Sequence, residues 1–302
     1  MMLATISVFA PPSSRVTLND EDKQAEDPMG INHYYRRTGR AFFLLSIISG
    51  VSFVLFLLLY MVSDEGFTID AMQGFLLLSV MTLGFLIAGF VKRHRAGQTY
   101  ATPELIADEH DLHVVNRVVI APVIHLLREY QVFALDGKRI AEVRDLARGW
   151  RRYAAYFLEL IGIRMFFPKT LEVHNDKGAI YRLEKEAGIH EIYRLYSIEG
   201  TQLATYQMNV FNPFKTYALI YDASGNLIGE NDGGISGQQF NIKDESDNTL
   251  IDMKYQGIPV EALELFSGIN GDLVDLNHKR IPETLMPAFI IAPVIVKLHF
   301  RK

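Results

Sequence analysis

Residues 216–230 read TYALIYDASGNLIGE, and this stretch shows the pattern on which the fold depends. Two short runs rich in β-branched and aromatic residues flank a turn that contains Asp222 and Gly225. Such runs around a turn of this kind are typical of a β-hairpin. The pattern recurs at 130–143, 170–184, 191–208 and 240–255. Successive short hairpins predict an antiparallel meander, and closing the sheet into a barrel would remove its exposed edges.

An apolar stretch follows these hairpins, at residues 285–296 (LMPAFIIAPVIV). It is too short to cross a bilayer, which takes about 20 residues, so we expect a buried element. Pro282 is suited to begin a helix, whereas Pro293 would kink it, and the β-branched residues also suit a strand. We favour a helix and leave the strand open. The pentapeptide IAPVI occurs at both 120–124 and 291–295, which indicates two similarly buried environments.

Two uncharged apolar stretches lie near the start of the chain, at residues 41–63 and 71–91. Each is long enough to cross a hydrocarbon core, in which only a helix satisfies the backbone polar groups. The alternative is a pair of buried helices in a soluble core, but such helices usually keep a polar stripe that is missing here. Small residues four positions apart favour close helix packing: Ser46 with Gly50, and Gly84 with Ala88.

The charges around these stretches predict their orientation. The connecting segment 64–70 contains three acids and no basic residue. Basic residues flank the outer ends: Arg36, Arg37 and Arg40 before the first stretch, and Lys92, Arg93 and Arg95 after the second. Because basic residues stay on the cytoplasmic side, we expect a two-pass protein of the plasma or inner cell membrane with both termini in the cytoplasm. Residues 1–40, which lack the basic start of a signal peptide, would form a mobile tail, and 92–302 a cytoplasmic β-rich domain.

The serial hairpins, with turns such as YDASGNLIGE, and the apolar segment after them resemble the tubby C-terminal-like superfamily over about residues 110–302. This superfamily includes the plant LURP-one-related proteins and the phospholipid scramblases. The resemblance implies an antiparallel barrel of about twelve strands, threaded by a hydrophobic helix near the C-terminus. The chain differs from the scramblases in its N-terminal helical hairpin and its lack of cysteine, and from tubby in lacking a recognisable set of phosphoinositide-binding basic residues. No functional residue is therefore carried over.

A basic amphipathic pattern at residues 140–161 supplies the candidate site. On a helical wheel one side carries Arg144, Arg148, Arg151 and Arg152, and the other carries Val143, Trp150, Tyr153, Phe157, Leu160 and Ile161. Arginine beside a tryptophan-bearing apolar face suits a membrane interface, where the cations meet anionic headgroups. The alternative is a helix that covers one end of the barrel with its apolar side inward. The candidate lipid-binding residues are Arg144, Arg148, Trp150, Arg151 and Arg152.

Composition and motifs argue against several other kinds of chemistry. The 302 residues include no cysteine, which excludes disulfides, thiolate catalysis and cysteine-ligated metals. The formal net charge of −5 gives no indication of nucleic-acid binding. His110 and His113 form no established metal motif, and the acidic turns at 222–226 and 244–248 lack the glycine and glutamate of a calcium loop. We therefore expect a non-enzymatic protein without a metal or cofactor.

The functional expectation is a membrane-tethered β-domain that binds lipid headgroups or a protein partner at the membrane face. Its partners would be the lipid bilayer, anionic headgroups and other membrane proteins. Two alternatives are lipid translocation of the kind performed by scramblases, which rests on fold analogy alone, and a structural subunit of a membrane assembly.

Overall fold

A computed structural model describes residues 30–62, 68–98, 110–123, 127, 129–161, 163, 166–188, 191–209, 217–232, 239–244, 246–255 and 257–300. Its α-helices are α1 (Ile31–Val62), α2 (Ile69–Ala96), α3 (Trp150–Leu160), α4 (Leu263–Phe266) and α5 (Met286–Phe300). Short 3₁₀ helices cover Val260–Ala262, His278–Arg280 and Glu283–Leu285.

Twelve antiparallel strands form a closed barrel, as the hairpin pattern predicted. They are β1 (Arg117–Pro122), β2 (Tyr130–Ala134), β3 (Arg139–Asp145), β4 (Lys169–Asn175), β5 (Gly178–Lys185), β6 (Glu191–Ser197), β7 (Gln202–Asn209), β8 (Tyr217–Asp222), β9 (Leu227–Asp232), β10 (Gln239–Lys243), β11 (Thr249–Tyr255) and β12 (Asp272–Leu276). Each strand pairs with its neighbours in sequence, and β1 closes the barrel by pairing with β12 at Val119 and Leu273. No free sheet edge is left among these strands.

The barrel has two different mouths. At the short-turn mouth, tight turns join β2 to β3, β4 to β5, β6 to β7, β8 to β9 and β10 to β11. The long-loop mouth lies at the other end, where β3 ends at Asp145 and β4 begins at Lys169. The connection between these two strands carries α3.

The apolar stretch near the C-terminus forms helix α5 inside the barrel, so the strand alternative is wrong. Phe289, Ile291 and Ile295 are almost completely buried among inward-facing strand residues. The Tyr206 hydroxyl donates to the Ala288 carbonyl at 2.6 Å and the Tyr130 hydroxyl donates to the Lys297 carbonyl at 2.9 Å. These bonds satisfy polar groups that the apolar interior would otherwise leave unpaired.

Helices α1 and α2 form an antiparallel helical hairpin, and both are long and apolar enough to cross a membrane. Only 11% and 6% of their most apolar windows are buried, so they do not form the core of a soluble domain in this chain. The Ser46 hydroxyl donates to the Thr82 carbonyl at 3.0 Å, which joins the two helices. The expected close packing at Gly84 is wrong, because a Cβ at this position would meet nothing within 4 Å. The close contact between the two helices is at Gly89 instead, where a Cβ would lie 2.9 Å from the Phe43 ring.

The first turns of α1 pack on the barrel, which corrects the mobile tail expected up to residue 40. Residues 1–29 lie outside the described part, but the helix begins at Ile31 and buries Ile31, Tyr34 and Tyr35. They form a second apolar core with Phe133 and with residues 262–273, on the outside of the barrel. Burial of these side chains extends the helix toward the N-terminus because packing on the barrel, rather than lipid, stabilises this part.

Candidate functional site: a basic groove and an aromatic face at the long-loop mouth

Helix α1 runs along the outside of the barrel from one mouth to the other. The Ile31 amide donates to the Gly137 carbonyl at 2.8 Å, beside the short-turn mouth. One turn later the Tyr34 hydroxyl donates to the Pro122 carbonyl at 2.7 Å, where β1 reaches the long-loop mouth. Since the uncharged stretch 41–62 continues in the same direction, the apolar part of the helical hairpin projects from the long-loop mouth.

The amphipathic segment is not one helix, which corrects the prediction for 140–161. Residues up to Asp145 belong to β3, and α3 covers only Trp150–Leu160. The buried run 140–143 pairs with both β2 and β4, and this tertiary pairing outweighs the local helical pattern. Gly149 joins the two elements with a φ of 57°, a conformation that costs glycine little.

The structure separates the five predicted residues into two groups. Arg144 lies on β3 and donates to the Glu142 carboxylate at 2.5 Å, and the Arg152 Nε donates to the Tyr156 hydroxyl at 2.7 Å. These two side chains therefore have partners within the protein. Arg148, Trp150 and Arg151 form the other group, and they lie together beside an open groove.

Glu142 is the centre of a buried charge cluster next to this groove. Its carboxylate accepts bonds from Arg37 at 3.0 Å and Arg139 at 2.9 Å as well as from Arg144. Burial by itself would raise the pKa of Glu142, but the bond from Arg144 and the nearby guanidinium charges outweigh it and hold the pKa at about 2. Because Arg37 belongs to α1, the cluster joins the helical hairpin to the barrel wall.

The groove has a volume of about 830 Å³ and lies between α3 and the ends of β3, β4 and β5. It is lined by residues 145–148, Trp150, Arg151, 168–170, Arg182, Glu184 and Lys185. The side chains of Arg148 and Arg151 are exposed, and within the described residues neither guanidinium pairs with a carboxylate. The groove therefore offers two available cations together with Lys169 from β4, against the carboxylates of Asp145 and Glu184.

A buried ionic cluster lies under the groove. Lys185 Nζ is 3.8 Å from a Glu191 oxygen, and Glu191 also pairs with His299 at the end of α5. Burial lowers the pKa of Lys185. Burial alone would raise the pKa of Glu191, but the hydrogen bond from His299 has the larger effect, so the pKa of Glu191 is lowered. This cluster holds the last turn of α5 against β5 and β6.

The aromatic side of α3 faces away from the barrel, which contradicts the alternative that it packs inward. Trp150 and Tyr153 are each 75% exposed and Phe157 is 61% exposed, whereas Ala155 on the opposite side is completely buried. The following connection adds more exposed apolar side chains: Ile161, Ile163, Phe166 and Phe167. An exposed apolar surface of this size usually marks an interaction site.

The histidines singled out in the sequence have separate structural partners. His110 pairs with Asp136, and His113 lies between Asp111 at 2.8 Å and the Tyr181 hydroxyl at 2.6 Å. Burial raises the pKa of Tyr181 to about 12, so this hydroxyl stays protonated and is unsuited to act as a nucleophile. The described residues contain no group of three or more acidic or histidine side chains able to hold a metal.

The groove residues on the neighbouring strands are not predictable from local sequence patterns. Lys169 of β4 lies directly opposite Lys185 of β5, and Arg182 lies three residues before Lys185 on the same strand. They are distant in sequence from Arg148, so only the strand register brings them to the same mouth.

No protein-family model and no curated protein matches the sequence. Among solved structures, the chain is similar to an X-ray structure of a protein from Arabidopsis thaliana, with 12% sequence identity and a TM-score of 0.37. The match covers 66% of this chain and 96% of the plant chain. A likeness of this size carries no argument about family or activity.

Proposed function

We propose that the helical hairpin crosses the cell membrane and that the barrel is a tubby-like domain on its cytoplasmic side. Two long apolar helices, basic at the barrel end, support the first part. A closed barrel of twelve strands around a C-terminal helix has the architecture that the tubby resemblance implies. In this arrangement the long-loop mouth faces the cytoplasmic leaflet.

The groove at this mouth binds an anionic lipid headgroup, and the protein acts by binding rather than by catalysis. The observation that carries this proposal is the pair of exposed guanidinium groups, Arg148 and Arg151, which have no carboxylate partner among the described residues and lie beside Lys169. Arginine donates two parallel hydrogen bonds to a phosphate or carboxylate, so two arginines suit a headgroup that carries both groups and a net negative charge, such as that of phosphatidylserine. The first amides of α3 add partial positive charge at the same place.

The test uses the full chain in zwitterionic nanodiscs, because the packing of Ile31 and Tyr34 on the barrel makes the isolated domain incomplete. Binding of fluorescent short-chain phosphatidylserine is titrated for the wild type and for Arg148→Gln/Arg151→Gln. Two charge-assisted contacts predict a loss of affinity of about 10-fold or more for the double variant.

A matched control removes the same charge at the short-turn mouth, with Arg117→Gln/Arg280→Gln, and should bind like the wild type. Short-chain phosphatidylcholine and inorganic phosphate serve as competitors. Equal affinity of the wild type and the groove variant would disprove headgroup binding in the groove. Competition by inorganic phosphate as strong as by the anionic lipid would show a site for free phosphate instead.

A further inference from the structure

The aromatic side of α3 and the exposed apolar residues after it form an apolar surface that shares only Trp150 with the headgroup groove. Trp150, Tyr153, Phe157 and Ile161 follow each other at spacings of three or four residues, so they lie along one stripe of the helix. Ile163, Phe166 and Phe167 are exposed shortly after the end of the helix. We call these seven residues the α3 apolar surface.

The position of α3 brings this surface close to the apolar part of the helical hairpin. Arg37, four residues before the uncharged stretch of α1, lies 3.6 Å from the Glu129 carboxylate. Glu129 directly precedes β2, at the end of the barrel where β3 leads into α3. Helix α3 lies in the connection between β3 and β4, so it is at the same mouth of the barrel as Glu129 and the point where α1 leaves the barrel.

We propose that the α3 apolar surface inserts into the bilayer that surrounds the helical hairpin, at the boundary between headgroups and acyl chains. The inference rests on the proposed membrane crossing of the hairpin and adds a second, independent membrane contact of the barrel. A short helix with aromatic residues on one side and arginine on the flank has the composition of an interfacial helix. Because the surface and the hairpin lie at the same mouth of the barrel, the surface is held at the bilayer, so the bilayer, rather than a diffusing protein, is the occupant.

The chain contains a single tryptophan, so fluorescence reports Trp150 alone. The full protein is reconstituted into phosphatidylcholine vesicles with and without bromine on the acyl chains. Insertion predicts quenching of Trp150 by about two-fold, because bromine acts only at contact distance and an interfacial helix lies about 5–10 Å deep. Neutral lipid keeps this measurement independent of anionic headgroup binding.

The control moves the tryptophan to the other mouth with Trp150→Phe/Ile198→Trp, since Ile198 is exposed in the β6–β7 turn. This variant should be quenched by acrylamide in water and not by brominated lipid. Tyr153→Ser/Phe157→Ser removes two exposed contacts and should reduce the bromine quenching of Trp150.

Two results would overturn the proposal. If the protein resists alkaline extraction from the vesicles but Trp150 is quenched only by acrylamide, the apolar surface does not insert, and the headgroup proposal is unaffected. If alkaline extraction releases the protein, the membrane crossing itself is wrong and the second contact is wrong with it.

Discussion

Glu142 shows at the residue scale how the helical hairpin and the barrel are joined. Its buried carboxylate accepts bonds from Arg37 of α1 and from Arg139 and Arg144 of its own strand. Removing one member of a buried charge cluster is costly because the remaining charges lose their partner without regaining water. This acid therefore adds a polar contact between hairpin and barrel to the apolar packing of Ile31, Tyr34 and Tyr35.

The first prediction concerns the acid stability of Glu142. Its folded pKa of about 2 lies below the ordinary 4.5, so its stabilising effect is complete above pH 4.5 and is lost as the pH falls toward 2. At about 1.4 kcal/mol per pKa unit, the contribution is about 3 kcal/mol. Urea unfolding in detergent, followed by circular dichroism, should show Glu142→Gln less stable than the wild type at pH 7, with the difference shrinking toward pH 2.5.

Glu184→Gln is the matched control, because Glu184 is half-exposed and lies 3.8 Å from Arg182. An exposed pair of this kind contributes less than about 1 kcal/mol, so this variant should follow the wild type at every pH. A constant difference between Glu142→Gln and the wild type from pH 7 to pH 2.5 would contradict the pKa argument.

At the scale of elements, the sequence predicts those turns and helices whose residues form a strong local pattern. The turns at Gly178, Gly200 and Gly225 and the apolar segment 285–296 carry strong local signals, and all of them lie where the pattern placed them. The pentapeptide IAPVI shows the limit of such signals. Its first copy contributes residues 120–122 to β1 and its second lies inside α5, because tertiary packing outweighs the weak propensities of five residues.

The candidate site was predictable only in part, for the same reason. Arg148, Trp150 and Arg151 are neighbours in sequence and could be found together. Arg144 belongs to β3, which continues to Asp145, and there its guanidinium bonds to Glu142 rather than facing the groove as a free cation. The helical wheel assumed a helix over these residues and so did not predict this pairing. The contribution of Lys169 depended on the register between β3 and β4, which no local pattern encodes.

The second prediction tests the packing of α5 inside the barrel. A Cβ on Gly229 would lie 2.9 Å from the Phe289 ring and 3.0 Å from the Lys243 carbonyl oxygen. Both are closer than ordinary contacts, so Gly229→Ala should destabilise the barrel by about 1–3 kcal/mol through overpacking. The measurement is urea unfolding in detergent. Gly97→Ala, whose Cβ would make an ordinary 3.5 Å contact, is the control; equal stability of both variants would show that α5 shifts without cost.

At the scale of the whole molecule, the contacts give the barrel a defined polarity. The helical hairpin, α3, the basic groove and the end of α5 all lie at the long-loop mouth. The tight turns at the other mouth carry polar residues, and Asp222 and Asp244 are used to bond their own turn amides. The features suited to membrane contact are thus gathered at one end, and the contacts of α1 with the barrel place that end next to the apolar part of the hairpin.

The third prediction tests this polarity and the proposed orientation together, and the absence of native cysteine makes single-cysteine labelling clean. Thr68→Cys places a thiol between the two helices, and Ser224→Cys places one in the exposed β8–β9 turn at the short-turn mouth. The proposed orientation has the barrel end of the hairpin in the cytoplasm, so an impermeant maleimide should label Thr68→Cys in intact cells and Ser224→Cys only after permeabilisation. Labelling of Ser224→Cys in intact cells would place the barrel outside. Labelling of neither thiol in intact cells, with both reacting after permeabilisation, would show that the hairpin does not cross the membrane.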